Sequence, residues 1–350
     1  MTTGNFWSGK RVLVTGHTGF KGSWLSLWLA DMGAQVYGLA LAPEGTPALF
    51  NQLNLATRMD HAELDLRDAG GVFARIDEIR PSVVFHLAAQ PLVRRSYAQP
   101  VETWATNVQG TVHVLEALRK MQRPCTIIIS TTDKVYHNRE WAHCYRESDR
   151  LGGHDPYSAS KAATELLIAS YREALFAGSE IRVASARAGN VIGGGDWAED
   201  RIVPDIIRGL QSGAPVQVRN PHATRPWQHV LEPLSGYLDY AEQLHEGTAP
   251  PASLNFGPDT HANRPVRELL DLALTHWPGK WEDVSHDEHV HEADRLALSI
   301  ELARVSLGWL PRWSFEDAVA YTIDWYRAVT GGVDPVATSR AQIAAYEAAR

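Results

Sequence analysis

Residues Arg11–Gly22 read RVLVTGHTGFKG, a short apolar run followed by glycines at every third position, Gly16, Gly19 and Gly22. The apolar run predicts a buried strand, and the apolar residues after the glycines recur at helical spacing. Such glycines let the backbone turn tightly and approach a pyrophosphate, with a helix N-terminus aimed at it. The stretch therefore predicts a dinucleotide-binding loop; the alternative is a strand-to-helix turn that binds nothing. The expected cofactor contacts are Gly16, His17, Thr18, Gly19, Phe20 and Gly22.

The sequence indicates less directly whether the dinucleotide is NAD or NADP. The loop has GxxGxxG spacing rather than the commoner GxGxxG. A carboxylate at the end of the second strand would bind ribose hydroxyls and an arginine would favour a 2'-phosphate, but that strand ends GLALAPEG, with Glu44 a few residues late. The lack of a basic residue favours NAD. Asp65, with Leu66 beside it, either meets the adenine edge or forms a surface turn.

Strand-like and helix-like segments alternate along the first half of the chain. The further strand patterns are AQVYGLAL, PSVVFHLAA, CTIIIS and IRVASARAG. This alternation predicts an α/β fold of the Rossmann type, a doubly wound parallel sheet covered on both faces. We expect a dinucleotide domain at 1–186 with a returning segment at about 228–258. A smaller C-terminal α/β lobe would take 187–227 and 259–330, and 331–350 would be a surface helix.

Composition excludes several classes of protein. The 350 residues carry a net charge of -8 without a basic run, which argues against a nucleic-acid or anionic-membrane partner. Cys125 and Cys144 are too few for a disulfide framework, and no signal peptide or membrane-span pattern is visible. We expect a cytoplasmic protein. His286, His289 and His291 match no strong metal signature, so no metal is expected.

Tyr157 and Lys161 lie four residues apart in DPYSASKAATE. On a helix, residues at this spacing share one face. A free tyrosine has a pKa of about 10, and a nearby ammonium stabilises the phenolate and lowers that value. The pair could then take a proton from a sugar hydroxyl as hydride leaves for a nicotinamide. By itself the YxxxK pattern arises often by chance, and the preceding glycine loop gives it weight.

The segment STTDKVY, residues 130–136, follows the CTIIIS strand and sets Asp133 directly beside Lys134. Along a strand the two side chains would point to opposite faces. Where a strand ends, the chain turns and both side chains can reach one cavity. The pair is therefore either half of a catalytic site or a solvated surface pair.

With these motifs, the chain resembles the extended short-chain dehydrogenase/reductase family, and within it the CDP-glucose branch of the nucleotide-sugar 4,6-dehydratases. The narrower matching stretches are GHTGFKG, GNVIGGGDWAEDRIVPD and RPWQHVLEPLSGY. The resemblance implies a lyase that uses NAD for internal redox: hydride leaves C4 of CDP-glucose, water is lost from C5 and C6, and hydride returns to C6. It also implies a place on the route to 3,6-dideoxyhexoses of surface polysaccharide, including O-antigen, and a homo-oligomer, a dimer or tetramer.

The resemblance also implies roles for the catalytic residues. Tyr157, supported by Lys161, would take the O4 proton, Thr132 would bind the 4-oxygen, and Asp133 would protonate the leaving hydroxyl at C6. Lys134 stands where relatives carry a glutamate base. It either removes the C5 proton when uncharged, or stays charged and stabilises the C4 enolate, or points to solvent and pairs with Asp133.

Further residues match family positions. Asn107 matches an asparagine that orders the active-site helix, with a helix-surface amide as the alternative. His86 and the strand-end residues Leu87, Ala88 and Ala89 match a surface packed against the cofactor. The expected nucleotide-sugar contacts are Asn190, Arg201 and Arg225. Guanidinium groups suit a diphosphate, and Arg225 is the preferred ligand; each of the three is otherwise an ordinary surface residue.

Two other functions compete with the dehydratase. A nucleotide-sugar 4-epimerase has the same fold and the Tyr–Lys pair but needs no acid at C6, so the TDK segment argues against it. A dehydratase of another nucleotide-glucose differs only in the base it recognises. A protein that binds NAD without turnover would tend to lose Tyr157 or Lys161, and both are present.

Overall fold

The computed structural model describes residues 6–259, 263–285 and 296–349, so the histidines at 286, 289 and 291 lie outside the described residues. The strands are β1 (Arg11–Thr15), β2 (Gln35–Ala40), β3 (Asp60–Glu63), β4 (Val83–His86), β5 (Cys125–Ser130), β6 (Ile181–Ala188), β7 (Val191–Ile192), β8 (Val216–Val218), β9 (Thr224–Pro226), β10 (Gln228–His229), β11 (Ser253–Phe256), β12 (Asn263–Pro265) and β13 (Trp281–Asp283).

The α-helices occupy most of the chain between these strands. They are α1 (Phe20–Asp31), α2 (Leu49–Gln52), α3 (Ala69–Ile79), α4 (Val93–Ala98), α5 (Pro100–Trp104), α6 (Gly110–Met121), α7 (Pro156–Ser170), α8 (Ile202–Ser212), α9 (Leu231–Glu246), α10 (Val266–His276), α11 (Glu301–Leu307), α12 (Phe315–Thr330) and α13 (Pro335–Ala348). Single π-turns join α5 to α6 and extend α7. Of the helices described, none is long and apolar enough to cross a membrane.

The central sheet has seven strands in the order β11-β6-β5-β4-β1-β2-β3, and all its pairs are parallel. Alternate residues of a strand face opposite sides. In β1, Val12 and Val14 accordingly join one buried apolar cluster, and Leu13 joins the cluster on the other face. Helices cover both faces, so the predicted doubly wound parallel sheet is confirmed.

After β6, part of the chain returns to the central sheet, and the rest forms a smaller set of strands. Helix α9 packs on β5 and β6, and β11 pairs with β6 at the sheet edge. The short pairs β7–β10, β8–β13 and β9–β12 form beside the carboxyl end of the sheet, together with α8, α10 and α12. The domain boundaries drawn from the sequence stay a prediction.

The last helix, α13, is more than a surface helix. One face is buried against the rest of the chain through Val336, Ile343 and Tyr346. The Tyr346 hydroxyl donates to Oε2 of Glu232 on α9 at 2.7 Å. The backbone N–H groups of Arg312 and Trp313 donate to the same carboxyl group at 2.7–3.1 Å. Glu232 therefore joins α9, α13 and the chain before α12.

The pKa of Glu232 is raised from 4.5 to about 7, because burial penalises the carboxylate more than its hydrogen-bond donors stabilise it. A raised folded-state pKa gives stability that is present below pH 4.5 and lost as the pH rises to about 7. We expect Glu232→Gln to remove this loss, which is on the order of 3 kcal/mol in the free energy of unfolding.

Denaturant unfolding of both proteins between these pH values measures the effect, with the exposed Glu316→Gln as the matched control. The wild type should lose stability relative to Glu232→Gln as the pH rises. Parallel stability curves for the two proteins would contradict the assignment.

Candidate active site

Parallel strands bring their carboxyl ends to one edge of the sheet, where open α/β folds bind ligands. The glycine loop follows β1, the residues 87–89 follow β4, Thr132–Lys134 follow β5, and Asn190 follows β6. These four strands are neighbours in the sheet. The structure therefore brings most of the predicted site residues to a single edge.

The glycine loop needs its glycines for packing and for access. Gly16 has φ +74°, and a Cβ there would lie 2.7 Å from the Ala88 nitrogen. A Cβ on Gly22 would lie 2.1 Å from the Gly16 carbonyl oxygen. Gly19 is different: it is exposed, and a Cβ there would meet nothing closer than 3.4 Å. Gly16 and Gly22 allow the backbone of the loop to pack closely. Gly19 leaves space for a ligand to approach the loop from solvent.

Gly19 is also the N-cap residue of α1. No side chain caps this helix, and its first turn contains no acidic residue. Unpaired N–H groups and the helix dipole at such an end favour a phosphate. The open cradle and the uncapped helix end therefore fit the pyrophosphate of a dinucleotide.

The side chain of His17 is part of the core. It is fully buried, and its ring packs 5.3 Å from the Phe50 ring and 5.4 Å from the His61 ring, measured between centroids. Burial, with a smaller effect from His61, lowers the pKa of His17 to about 4. Thr18 is held by its hydroxyl, which donates to the Leu41 carbonyl at 2.9 Å. Because the His17 ring is buried, only the backbone of His17 is available for the predicted cofactor contact.

The turn after β3 lies beside the end of β2, since Leu64 N–H donates to the Ala40 carbonyl at 2.7 Å. Arg67 binds both carboxylate oxygens of Asp65, and its hydrogen bond lowers the pKa of that carboxyl group. Leu66 is buried next to Gly110 at the start of α6. Asp65 follows β3 and forms a turn with Arg67, so its contact with the adenine edge stays a prediction. Glu44, after β2, is paired with Arg95 at 2.5 Å.

Asn107 is buried at 1% exposure, which excludes the helix-surface alternative. It accepts from Gln90 N–H at 2.8 Å and donates to Ser160 Oγ at 2.9 Å. It therefore ties the segment after β4 to α7. Asn107 lies in the π-turn before α6, and such turns are frequent at functional sites. Leu87, Ala88 and Ala89, just before Gln90, are partly exposed along the same edge.

Tyr157 and Lys161 lie on α7, as their spacing predicts. The carboxylate of Asp155 caps the helix by accepting from Ser158 N–H at 2.9 Å. Lys161 Nζ donates to the carbonyl of Ser130, the last residue of β5, at 3.0 Å. The ammonium is thereby fixed against the strand end that carries the TDK segment.

The protonation of this pair differs from the sequence-based prediction. Burial raises the pKa of Tyr157 to about 12, although a hydrogen bond with Thr132 acts in the opposite direction. Burial, with the charge of Lys21, lowers the pKa of Lys161 to about 8. The predicted lowering of the tyrosine pKa is therefore wrong for this structure, because desolvation of a phenolate outweighs the nearby charges.

The TDK segment forms a connected polar group. Thr132 Oγ1 donates to Asp133 Oδ1 at 2.9 Å, and Thr132 also acts on the Tyr157 phenol in the direction that lowers its pKa. Lys134 Nζ donates to Asp133 Oδ1 and to Asn190 Oδ1, both at 3.3 Å. Asp133 is 1% exposed. The buried Asp133 carboxylate does not fit a solvated surface pair, whereas Lys134 is 28% exposed and does form an ion pair with Asp133.

Glu165 and Arg187 support this segment, and the sequence analysis missed them. Their ion pair measures 2.8 Å and is buried. Thr131 Oγ1 donates to Glu165 Oε1 at 2.5 Å, and Arg187 Nη1 donates to the Tyr136 hydroxyl at 2.9 Å. Glu165 could have been predicted from the sequence, because it follows Lys161 by four residues and so shares its helix face.

The two arginines predicted to bind a diphosphate differ in their surroundings. Arg201 pairs with Asp196 at 2.9 Å and acts electrostatically on Tyr157. Arg225 lies on β9, where its guanidinium donates to the Thr224 carbonyl at 3.0 Å. The next residue, Pro226, lies 3.1 Å from a Cβ built on Gly189, and Asp133 lies 3.3 Å from that Cβ. Strand β9 therefore borders the site.

The fold and site are those of the extended short-chain dehydrogenase/reductases: a parallel Rossmann sheet, a glycine loop after β1 and a Tyr–Lys pair on α7. Residues 13–322 match the family described as GDP-mannose 4,6 dehydratase, and the chain belongs to this family.

Individual relatives agree with this family. The CDP-glucose 4,6-dehydratase of Salmonella typhimurium is 45% identical, over 99% of this chain and 98% of that protein. The UDP-glucose 4-epimerase of Thermus thermophilus, solved in complex with NAD, is 26% identical with a TM-score of 0.78 over 90% of this chain and 98% of that chain. A dTDP-glucose 4,6-dehydratase of Bacillus anthracis, solved with NAD, shares the fold: TM-score 0.76, 20% identity, coverage 93% and 99%.

The open position at Gly19 generates a test of the loop. We expect Gly19→Ala to fold as the wild type, since φ -80° suits alanine and its Cβ has room. The added methyl would occupy the approach of the pyrophosphate. The affinity for NAD should therefore fall by about tenfold or more, ~1.4 kcal/mol.

Titration calorimetry with NAD measures the affinity, and thermal unfolding checks the fold. Gly70→Ala, in the first turn of α3 and away from the loop, is the matched control. Equal NAD affinity for Gly19→Ala and the control would contradict the role given to the loop.

Proposed function

We propose that the chain is a CDP-glucose 4,6-dehydratase that forms CDP-4-keto-6-deoxyglucose and water. The observation that carries the proposal is the buried Asp133, linked through Thr132 to Tyr157 of the Tyr–Lys pair. An acid in this position has a use in removing a hydroxyl and none in a 4-epimerase. The preference for cytosine is supported by 45% identity to the Salmonella enzyme across nearly the whole chain.

The loop residues Gly16–Gly22 would hold the cofactor pyrophosphate, with Ala88 and Ala89 along the side of the cofactor. Asp65 and Leu66 would lie at its adenosine end. When bound, NAD supplies a hydride acceptor for C4 of the sugar and a hydride donor for C6. The loop geometry and the NAD complexes of the epimerase and dehydratase relatives support this cofactor.

Thr132 interacts with both groups that serve the protonic tasks, Tyr157 at O4 and Asp133 at C6. The O4 proton passes to the Tyr157 hydroxyl oxygen as the Tyr157 proton moves towards Thr132. Thr132 in turn donates to Asp133 Oδ1, and the protonated Asp133 then gives its proton to the leaving hydroxyl at C6. Because burial keeps Tyr157 uncharged, a relay that never leaves a phenolate exposed suits this site.

Lys134 stabilises charge in this scheme. Its ammonium is held between Asp133 Oδ1 and Asn190 Oδ1. Of the readings open in the sequence, these two contacts favour the one in which Lys134 orients Asp133 and stabilises the C4 enolate. Arg201 and Arg225 would bind the diphosphate from the side of α8 and β9.

The proposal includes a homo-oligomer in the cytoplasm, where NAD and nucleotide sugars are available. Exposed apolar side chains on neighbouring helices support the oligomer: Val101 of α5 is 81% exposed and Leu166 of α7 is 64% exposed. Such side chains close together on a surface favour association with another chain.

The substrate assignment is tested with purified protein, NAD and each of CDP-, dTDP- and UDP-glucose. We expect turnover of CDP-glucose to a product that absorbs as a 4-keto sugar in alkali, without net formation of reduced nicotinamide. Turnover of dTDP- or UDP-glucose but not of CDP-glucose would refute the nucleotide preference and leave the dehydratase chemistry in place.

Asp133→Asn tests the acid at C6. We expect both the oxidation at C4, whose proton passes to Asp133, and the loss of water to slow by about 100-fold or more, the usual range for a lost acid–base group. The measurement is reduced-nicotinamide absorbance together with the mass of the bound sugar. Asp77→Asn, on the exposed face of α3, is the control. Normal turnover by Asp133→Asn would remove the carboxylate from the mechanism.

A further inference from the structure

Two polar side chains of α7 bind the end of β5, one helical turn apart. Lys161 Nζ donates to the Ser130 carbonyl at 3.0 Å, and Glu165 Oε1 accepts from the Thr131 hydroxyl at 2.5 Å. Residues four apart share one face of a helix. The face of α7 that carries the Tyr–Lys pair therefore also holds the two residues that precede Thr132.

The Glu165 carboxylate is fixed in place, because donors bind both of its oxygens. Arg187 Nη2 and the Ser185 hydroxyl donate to Oε2, each at 2.8 Å, and Thr131 donates to Oε1. Arg187 and Ser185 belong to β6, which pairs with β5 along its whole length. Glu165 is 4% exposed. Its Oε1 thus presents a fixed, buried acceptor to Thr131.

Thr131 lies where the chain leaves the sheet. Strand β5 ends at Ser130, and the Thr131 N–H donates to the Ala186 carbonyl of β6 at 2.9 Å. Thr132 then has extended backbone, and Asp133 begins a short 3-10 turn. Consecutive Cα atoms are about 3.8 Å apart, so a shift of Thr131 moves Thr132 with it. The hydroxyl of Thr131 is therefore placed to control the start of the TDK segment.

We propose that Thr131 is a positioning residue of the dehydration, acting through its hydrogen bond to Glu165. The bond fixes Thr132 and Asp133 relative to Tyr157 on the helix that carries Glu165. Thr131 moves no proton in this role, which rests on the dehydratase function proposed above. A misplacement of about 1 Å at a catalytic group costs about 100-fold in rate, so a bond outside the chemistry can control kcat.

A purely structural role for the same hydroxyl makes a different prediction. A donor to a buried carboxylate stabilises the fold whether or not it positions a catalytic group. Ser185 provides the comparison, because its hydroxyl donates to the same carboxylate of Glu165. Ser185 is fully buried within β6 and pairs with Ile129 of β5, before the TDK segment begins. Only the Thr131 hydroxyl should therefore affect the rate of the reaction.

Three variants separate the two roles. Thr131→Val keeps the shape of the side chain without its hydroxyl, and Ser185→Ala removes the matched hydroxyl. We expect Thr131→Val to lower kcat for CDP-glucose about tenfold or more, with KM within about twofold because the nucleotide contacts are unchanged. Ser185→Ala should keep the wild-type kcat. Thr131→Ser restores the hydroxyl and should recover most of the lost rate.

Two assays follow the separate steps. Single-turnover formation of reduced nicotinamide reports oxidation at C4, and 4-keto sugar absorbance in alkali reports the complete dehydration. Both should slow in Thr131→Val, because the bond places Asp133 against Tyr157. Circular dichroism during thermal unfolding checks that each variant is folded at the assay temperature. Thr131→Ala, which leaves room for a water molecule on Glu165, is measured instead where Thr131→Val does not fold.

Wild-type kcat in folded Thr131→Val, or in the Thr131→Ala that replaces it, would overturn the proposal. Equal losses of kcat in Thr131→Val and Ser185→Ala would also overturn it, since both hydroxyls would then act only by stabilising the buried carboxylate. Failure of Thr131→Ser to recover the rate would count against it in the same way. These outcomes are read against a wild type that dehydrates a nucleotide-glucose. A wild type that oxidises no nucleotide-glucose would instead refute the proposed function, and the positioning role with it.

Discussion

The active-site edge depends on the buried ion pair between Glu165 and Arg187. Glu165 belongs to the helix that carries Tyr157 and Lys161, and Arg187 belongs to β6. The pair also binds the chain on both sides of the TDK segment, at Thr131 and at Tyr136. Removing one partner of such a pair costs about 3–5 kcal/mol, since the other charge is left buried and unpaired. The position of the Thr132–Asp133 group relative to Tyr157 therefore depends on two residues that take no part in the chemistry.

Burial also changes the protonation of titratable side chains at this edge of the sheet. Tyr157 is driven towards its neutral phenol, and Lys161 and Lys21 are driven towards neutral amines. Groups that are uncharged at rest avoid the cost of burying isolated charges. The ion pair of Lys134 with Asp133 lies at the same edge of the sheet.

Much of the site could be predicted from local patterns. The glycine loop, the α7 spacing and the acid after β5 each depend on residues close together in the chain, and the structure brings these segments to one edge. The role of Arg187 could not be predicted from the sequence, because its partner Glu165 is 22 residues away and the pair contacts a third segment.

The sequence by itself determined the order of strands and helices, the loop that begins α1 and the residue types available for acid–base chemistry. These follow from the spacing of apolar residues and glycines, which acts over a few neighbouring positions. Only the tertiary structure decided that Lys134 is held by Asn190 and Asp133, that the His17 ring is buried, and that the Tyr157 pKa is raised. The reason is that solvation and charge pairing depend on distances through space, and those distances join residues that are far apart in the chain.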